Sequence, residues 1–158
     1  MPPATFHYEK NEAFVELAEG QDAVFESNTR FLVFAASVGH ARSNRVTDPD
    51  DNGEIRWNYI SQNNRLSVIV ASLAYADTGD AEVLLDPDRQ IDSLVAYGAG
   101  GARILKNEIV DEPGENLDNL VDFLQQHRDI DSLEEQVGIL EQIESEISSL
   151  RPSSEEAE

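Results

Sequence analysis

Residues 87 to 110, PDRQIDSLVAYGAGGARILKNEIV, constrain the fold most, because apolar residues at helical intervals run straight through a cluster of three glycines. Ile91, Leu94, Val95, Ile104, Leu105 and Ile109 keep the spacing of one helix, and Pro87 is preset for its first turn. Gly98, Gly100 and Gly101 would each weaken an isolated helix by up to about 1 kcal/mol. Such a run either breaks at the glycines or has another element packed closely against it. Close packing is the expectation here.

The same periodicity places the other elements. Glu12 to Ala18 carries Ala13, Phe14, Leu17 and Ala18 at helical spacing, with Asn11 as N-cap. Ser27 or Asn28 can cap a helix reaching about Arg42. Its apolar positions Phe31, Leu32, Phe34, Ala35, Ala36 and Val38 are too many for one stripe, so this helix is expected to be central. LSVIVASLAYA (66 to 76) could be a buried strand or a buried helix, and its length and alanines favour helix. TDPDDNGE (47 to 54) reads as a surface loop and GDAEVLLD (79 to 86) as a short turn or helix.

Glu115 to Gln126 forms an amphipathic helix with Leu117, Leu120, Val121 and Leu124 expected inward. Asp131 and Glu134 have the spacing of a capping box, opening a final helix with the seam Leu133, Val137, Leu140, Ile143, Ile147 and Leu150. The fold expected is mainly α: a compact bundle of about five to six helices, with room for a short N-terminal strand at TFHY, ending in a long acidic helix. Residues 1–128 form the helical domain in this reading, 129–150 the acidic amphipathic helix and 151–158 a disordered tail.

Charge enters the argument through partners. The 158 residues carry 32 acids against 11 lysines and arginines, and lysine occurs only at Lys10 and Lys106. Such a surface would repel phosphates in dilute buffer. At about 1 M salt the Debye length is roughly 3 Å, so a local basic patch is no longer dominated by distant carboxylates. The acidity is read as adaptation to concentrated salt, pointing to a halophilic archaeon. The absence of cysteine excludes disulfides and thiolate chemistry. No apolar run approaches the roughly 18 residues that span a bilayer, and MPPATFHYEKNEAF lacks the basic start and apolar core of a signal peptide. A cytoplasmic protein without membrane contact is expected.

Few residues suggest catalysis. His7, His40 and His127 have no partner at a metal-binding spacing, and DPDDNGE lacks the alternating acids and distant glutamate of a calcium loop. GAGG is not a nucleotide fingerprint. No catalytic residue, metal or other cofactor is assigned. The basic residues say more. Asn28 to Thr47 holds Arg30, Arg42 and Arg45 with no acid, and Ile55 to Ala76, also free of acids, holds Arg56 and Arg65 beside Trp57, Tyr59, Asn63 and Asn64. Guanidinium forks, amides and an aromatic ring suit phosphates and stacked bases. Arg30, Arg42, Arg45, Arg56, Arg65 and Trp57 are therefore the candidate nucleic-acid contacts. Arg42 and Arg45 have an equally good structural explanation, because cations are stabilised at a helix C-terminus without any ligand. Leu133, Val137, Leu140 and Ile147 are the candidate partner-binding residues.

Three blocks, RFLVFAASVGHARSNR (30 to 45), LSVIVASLAYADTGDAEVLLD (66 to 86) and SLVAYGAGGARILKNEI (93 to 109), resemble the small protein family found beside DNA phosphorothioation (Dnd) genes, Dnd system-associated protein family four. The resemblance covers about residues 5 to 126 and implies a role in phosphorothioation-linked antiviral restriction. The family offers no catalytic residues to carry over. The expected function is that of a non-enzymatic accessory subunit helping a larger complex engage DNA, with other Dnd-associated restriction proteins as partners and homo-oligomerisation left open. One alternative is an assembly subunit without DNA contact. Another is a ribbon-helix-helix regulator, in which TFHY would pair with a second copy across a dimer.

Overall fold

The structure is a computed structural model and describes residues 3 to 126 and 140 to 149. Contacts divide the chain into two units, Met1–Leu120 and Val121–Glu158. The first begins with strand β1 (Thr5–Tyr8) and helix α1 (Glu12–Phe14), which runs into a π-helical turn at Val15–Glu19. Then come α2 (Asn28–Ala41), β2 (Gly53–Arg56), α3 (Asn58–Ser61) and α4 (Asn64–Thr78). A 3-10 turn (Ala81–Leu85) leads into α5 (Pro87–Leu105) and a second π-helical turn (Lys106–Val110); α6 (Asn116–Gln126) follows, its first five residues in this unit and the rest in the second.

Local chemistry sets the helix starts. Asn11 Oδ1 accepts the Ala13 N–H at 3.0 Å, and Ser27 Oγ accepts the Arg30 N–H at 3.2 Å. Asn63 Oδ1 accepts from both Arg65 and Leu66, and Asp86 caps α5 with Pro87 in its first turn. Each such cap contributes about 1 kcal/mol.

The glycine cluster is a helix crossing, as its sequence requires. α5 runs unbroken, and α2 lies along it so closely that a Cβ on Gly101 would collide with the Ala35 carbonyl oxygen and one on Gly39 with the Tyr97 carbonyl oxygen. Alanines 35 and 36 of α2 are fully buried, and Phe31 and Leu32 extend the same face. Below them an aromatic stack fills the core: Tyr8 against Phe14 at 4.9 Å, and Phe14 against Phe31 edge-on at 4.6 Å. Such pairs add about 0.5–1.5 kcal/mol beyond their buried area.

Three sequence expectations are corrected. The end of the 47 to 54 loop is strand: β2 pairs antiparallel with β1, Thr5 opposite Arg56 and Tyr8 opposite Gly53. Phe6, Tyr8 and Ile55 face inward, while His7, Glu54 and Arg56 face out. TFHY thus has its strand partner within the chain. Second, α4 is a helix buried on one face only; Leu66, Val70, Leu73 and Ala74 are buried, but Val68 and Ile69 are exposed. Third, on α6 the buried residues are Leu120 and Phe123, whereas Leu117, Val121 and Leu124 are exposed. Five apolar residues within eight positions span too wide an arc for one face, and the buried arc is the one carrying the aromatic ring.

In the second unit, residues 140 to 149 are helical, with Leu140, Ile143 and Ile147 exposed. Leu133, Val137, Leu150, the capping-box pair at Asp131 and Glu134, and the tail 151–158 lie outside the described residues.

Candidate functional site

The candidate arginines fall at opposite ends of α2. Arg42 and Arg45 follow its C-terminus. Arg42 Nη2 donates to both oxygens of Glu108 at 3.2 and 3.0 Å. Arg45 Nε donates to both oxygens of Asp77 at 3.2 and 3.3 Å, and its guanidinium lies 5.8 Å from the centre of the Tyr97 ring. Asp77 also accepts the Ser93 hydroxyl at 2.7 Å and the Tyr97 hydroxyl at 3.0 Å. Burial pushes the Asp77 carboxyl up, but the Ser93 and Tyr97 hydrogen bonds together with Arg45 outweigh it and hold the group below the usual carboxylate range. The loop between is fastened to α5 by the Val46 N–H to the Ala96 carbonyl at 3.1 Å and the Asn44 amide to the Gly100 carbonyl at 3.3 Å. The chemistry at this end is that of a clamp joining α2, α4 and α5.

The N-terminal end is different. A groove of about 640 Å³ opens where α2 and α4 begin beside β2, lined by Thr29, Arg30, Arg56, Tyr59, Asn63 and Leu66 among others. Arg30 meets Glu26 at 3.4 Å, an exposed pair of the kind that contributes little. Arg56 and Arg65 are exposed, and neither has a carboxylate partner among the described residues. The first turns of α2, α3 and α4 contain no acid. Those of α1, α5 and α6 contain Glu12, Asp88 and Asp118, so the macrodipole ends at the groove are left without the usual internal counter-charge. The carboxylate at the groove is Glu54, which meets His7 at 3.3 Å across the strand pair.

The aromatic residues divide in the same way. Trp57, the ring singled out in the sequence, is 7% exposed and packs edge-on against Phe6 at 6.3 Å. Its face is committed to the core. Tyr59, two residues on, is 56% exposed and lines the groove. Arg56 also borders a second groove of about 590 Å³, with Thr5, Trp57 and Asn58.

Elsewhere the charged groups serve the fold. Arg103 forks onto buried Glu9 at 2.8 and 2.6 Å, and Glu9 also accepts the Asp50 N–H at 3.1 Å. The Arg103 hydrogen bond is the main reason the Glu9 carboxyl lies below its ordinary value. His40 meets the Tyr97 ring edge-on at 5.2 Å, and His127 lies outside the described residues. Ser93, although bonded to a carboxylate, is 1% exposed, out of reach of a substrate. Among the described residues no group of three or more histidines and acids could hold a metal ion, and no helix is long and apolar enough to cross a membrane.

The groove's donors suit an anion, and its exposed ring suits a planar partner. Sequence comparison supplies an independent finding: residues 7–143 match the family model described as DNA sulphur modification system-associated protein 4. No curated protein matches, and no solved structure matches.

Proposed function

Because the chain belongs to the DNA sulphur modification system-associated protein 4 family, we propose that it is a non-enzymatic accessory subunit which helps a larger complex engage DNA. The family's association is with a DNA sulphur modification system, and other proteins of that system are the partners in this reading. Antiviral restriction is the setting, and the chain's acidity is taken as adaptation to concentrated salt. One observation carries the DNA contact: Arg56 and Arg65 stand exposed and without carboxylate partners on the side where α2 and α4 begin. Guanidinium groups in that state can neutralise phosphates and release counterions.

Duplex binding measured across a salt series up to the molar range tests the proposal. Exchanging Arg56 and Arg65 together for glutamate should abolish binding at a fixed salt concentration. Exchanging Arg42 for glutamine should leave the salt slope unchanged, because its guanidinium is already bonded to Glu108. No duplex binding by the wild-type protein at any salt concentration would overturn the proposed contact.

A second reading, an assembly subunit without DNA contact, draws on exposed apolar side chains. Val68 and Ile69 of α4, Leu84 and Leu85 of the following turn, and Leu140, Ile143 and Ile147 all face solvent. The partner this favours is another protein of the system with an apolar, basic-rimmed surface, since Glu141, Glu144 and Glu146 accompany the last three. Co-purification that survives molar salt, with no DNA bound, would favour this reading.

A further inference from the structure

We propose that the groove at the starts of α2 and α4 seats a single tetrahedral oxyanion of the phosphate class, held by the Thr29 hydroxyl, the free amides of α2 and the Arg56 guanidinium. The inference rests on the DNA-contacting reading above and gives it a defined anchoring point, a backbone phosphodiester.

The donor accounting leads there. At the start of α2, Ser27 Oγ takes the Arg30 N–H and the Ser27 carbonyl takes the Phe31 N–H. The N–H groups of Asn28 and Thr29 therefore have no acceptor among the described residues. At the start of α4, Asn63 Oδ1 takes the Arg65 and Leu66 N–H groups, and its carbonyl takes that of Ser67. α2 and α4 are 14 and 15 residues long, enough for full macrodipoles directed at the groove.

Helix ends alone would not make a site. The independent observation is Thr29. It is 6% exposed, lines the groove, and its hydroxyl makes no hydrogen bond among the described residues. Its oxygen is not one of the sealed, unpartnered side-chain atoms of the described residues, so the hydroxyl opens to solvent at the groove, where an acceptor entering among the free amides can meet it. Arg56 projects from the outward side of β2 into the same groove, and no carboxylate neutralises it. Glu54 on that strand opposes an anion and sets a charge threshold that the donors must exceed. Tyr59 at the rim is placed to stack on a base or cover a sugar attached to the seated phosphate.

The test uses the full chain, isotopically labelled, titrated with inorganic phosphate at constant ionic strength and followed by NMR. The amides of Asn28 and Thr29 should shift in a saturable way. Thr29→Val, which keeps the shape and removes the hydroxyl, should weaken binding about tenfold. So should Arg56→Gln, an exposed substitution that leaves the fold intact, whereas Glu54→Gln should tighten it. Shifts absent from these amides, or unchanged by both weakening variants, would overturn the seat. Duplex DNA separates this proposal from the one it rests on. Phosphate binding at these amides with no duplex binding supports the seat and overturns the DNA reading. Duplex binding abolished by exchanging Arg65 but untouched by Thr29→Val and Arg56→Gln supports the DNA reading and overturns the seat.

Discussion

At the C-terminal end of α2, Arg42 and Arg45 are each bonded to both oxygens of a carboxylate, whereas at the N-terminal end Arg56 and Arg65 of the neighbouring elements meet none. Both sets come from stretches of sequence without acids. The carboxylates that separate them arrive from elsewhere in the chain: Glu108 is 66 residues from Arg42, and Asp77 is 32 from Arg45. Apart from Arg30 at the window's edge, which meets Glu26 just outside it, an acid-free window marks where arginines are not paired locally, and only the fold decides which remain available. In a chain with 32 acids the available ones are the exception, and they cluster where three helices begin without an acid in the first turn.

The contrast depends on α2 being fixed against α5, and the largest expected effect comes from breaking that crossing. Gly101→Val would drive a side chain into the Ala35 carbonyl, with backbone on both sides and nothing able to yield. A loss of about 3 kcal/mol or more is expected in denaturant unfolding at constant salt. A variant of wild-type stability would mean that the helices do not approach as described.

Next in size is the clamp. Asp77→Asn removes the charge that Arg45, Ser93 and Tyr97 share and should cost about 1–3 kcal/mol. The same end of the molecule should respond to acid. The carboxyls of Asp77 and Glu9 lie below their ordinary values of 3.8 and 4.5, so their contribution is complete above those values. It is lost as pH falls through the lower folded-state values. Arg103→Gln, which removes the main cause of the Glu9 shift, should flatten the stability profile below about pH 4.5. An unchanged profile would remove Glu9 from the acid response.

Much of this architecture is legible in the sequence, and what is missing has one cause. Asn11 and Ser27 announce helix starts through bonds to residues two or three positions away, Pro87 announces one through its fixed φ, and the glycine cluster announces a close crossing because only close packing reconciles its period with its composition. β2 is hidden, since GEIR is short, lies against a loop-like run of acids and becomes a strand only by pairing with Thr5–Tyr8. The exchange of Trp57 for Tyr59 as the exposed ring has the same origin: at the junction of β2 and α3 neither a period of two nor one of 3.6 governs which side faces in. On α6 the apolar arc is wide enough to admit two faces, and the local pattern does not say that Leu120 and Phe123 are the buried ones. The groove belongs to this class too, because its walls come from four separate elements.

Ser27→Ala probes the boundary between scaffold and groove. Loss of the cap should cost about 1 kcal/mol. It should also free the Arg30 N–H and fray the first turn that presents the Asn28 and Thr29 amides. Calorimetry and phosphate titration on the same sample should then move together, with reduced unfolding temperature and weaker binding.

The smallest expected change in stability sharpens the comparison most. Replacing Arg56 and Arg65 together by alanine removes two exposed side chains without carboxylate partners, so unfolding should shift by no more than about 0.5 kcal/mol. The salt dependence of DNA binding should nevertheless fall by roughly one unit of slope for each phosphate that is no longer neutralised. Arg45→Ala should do the reverse, costing stability through the stranded Asp77 network while leaving the slope intact. Crossed outcomes of this kind cannot come from a general change in charge, because the double variant and the single one both make the molecule more acidic. If both variants altered the slope equally, the two ends of α2 would be equivalent towards an anion, and the carboxylates around Arg45 would not be what separates them.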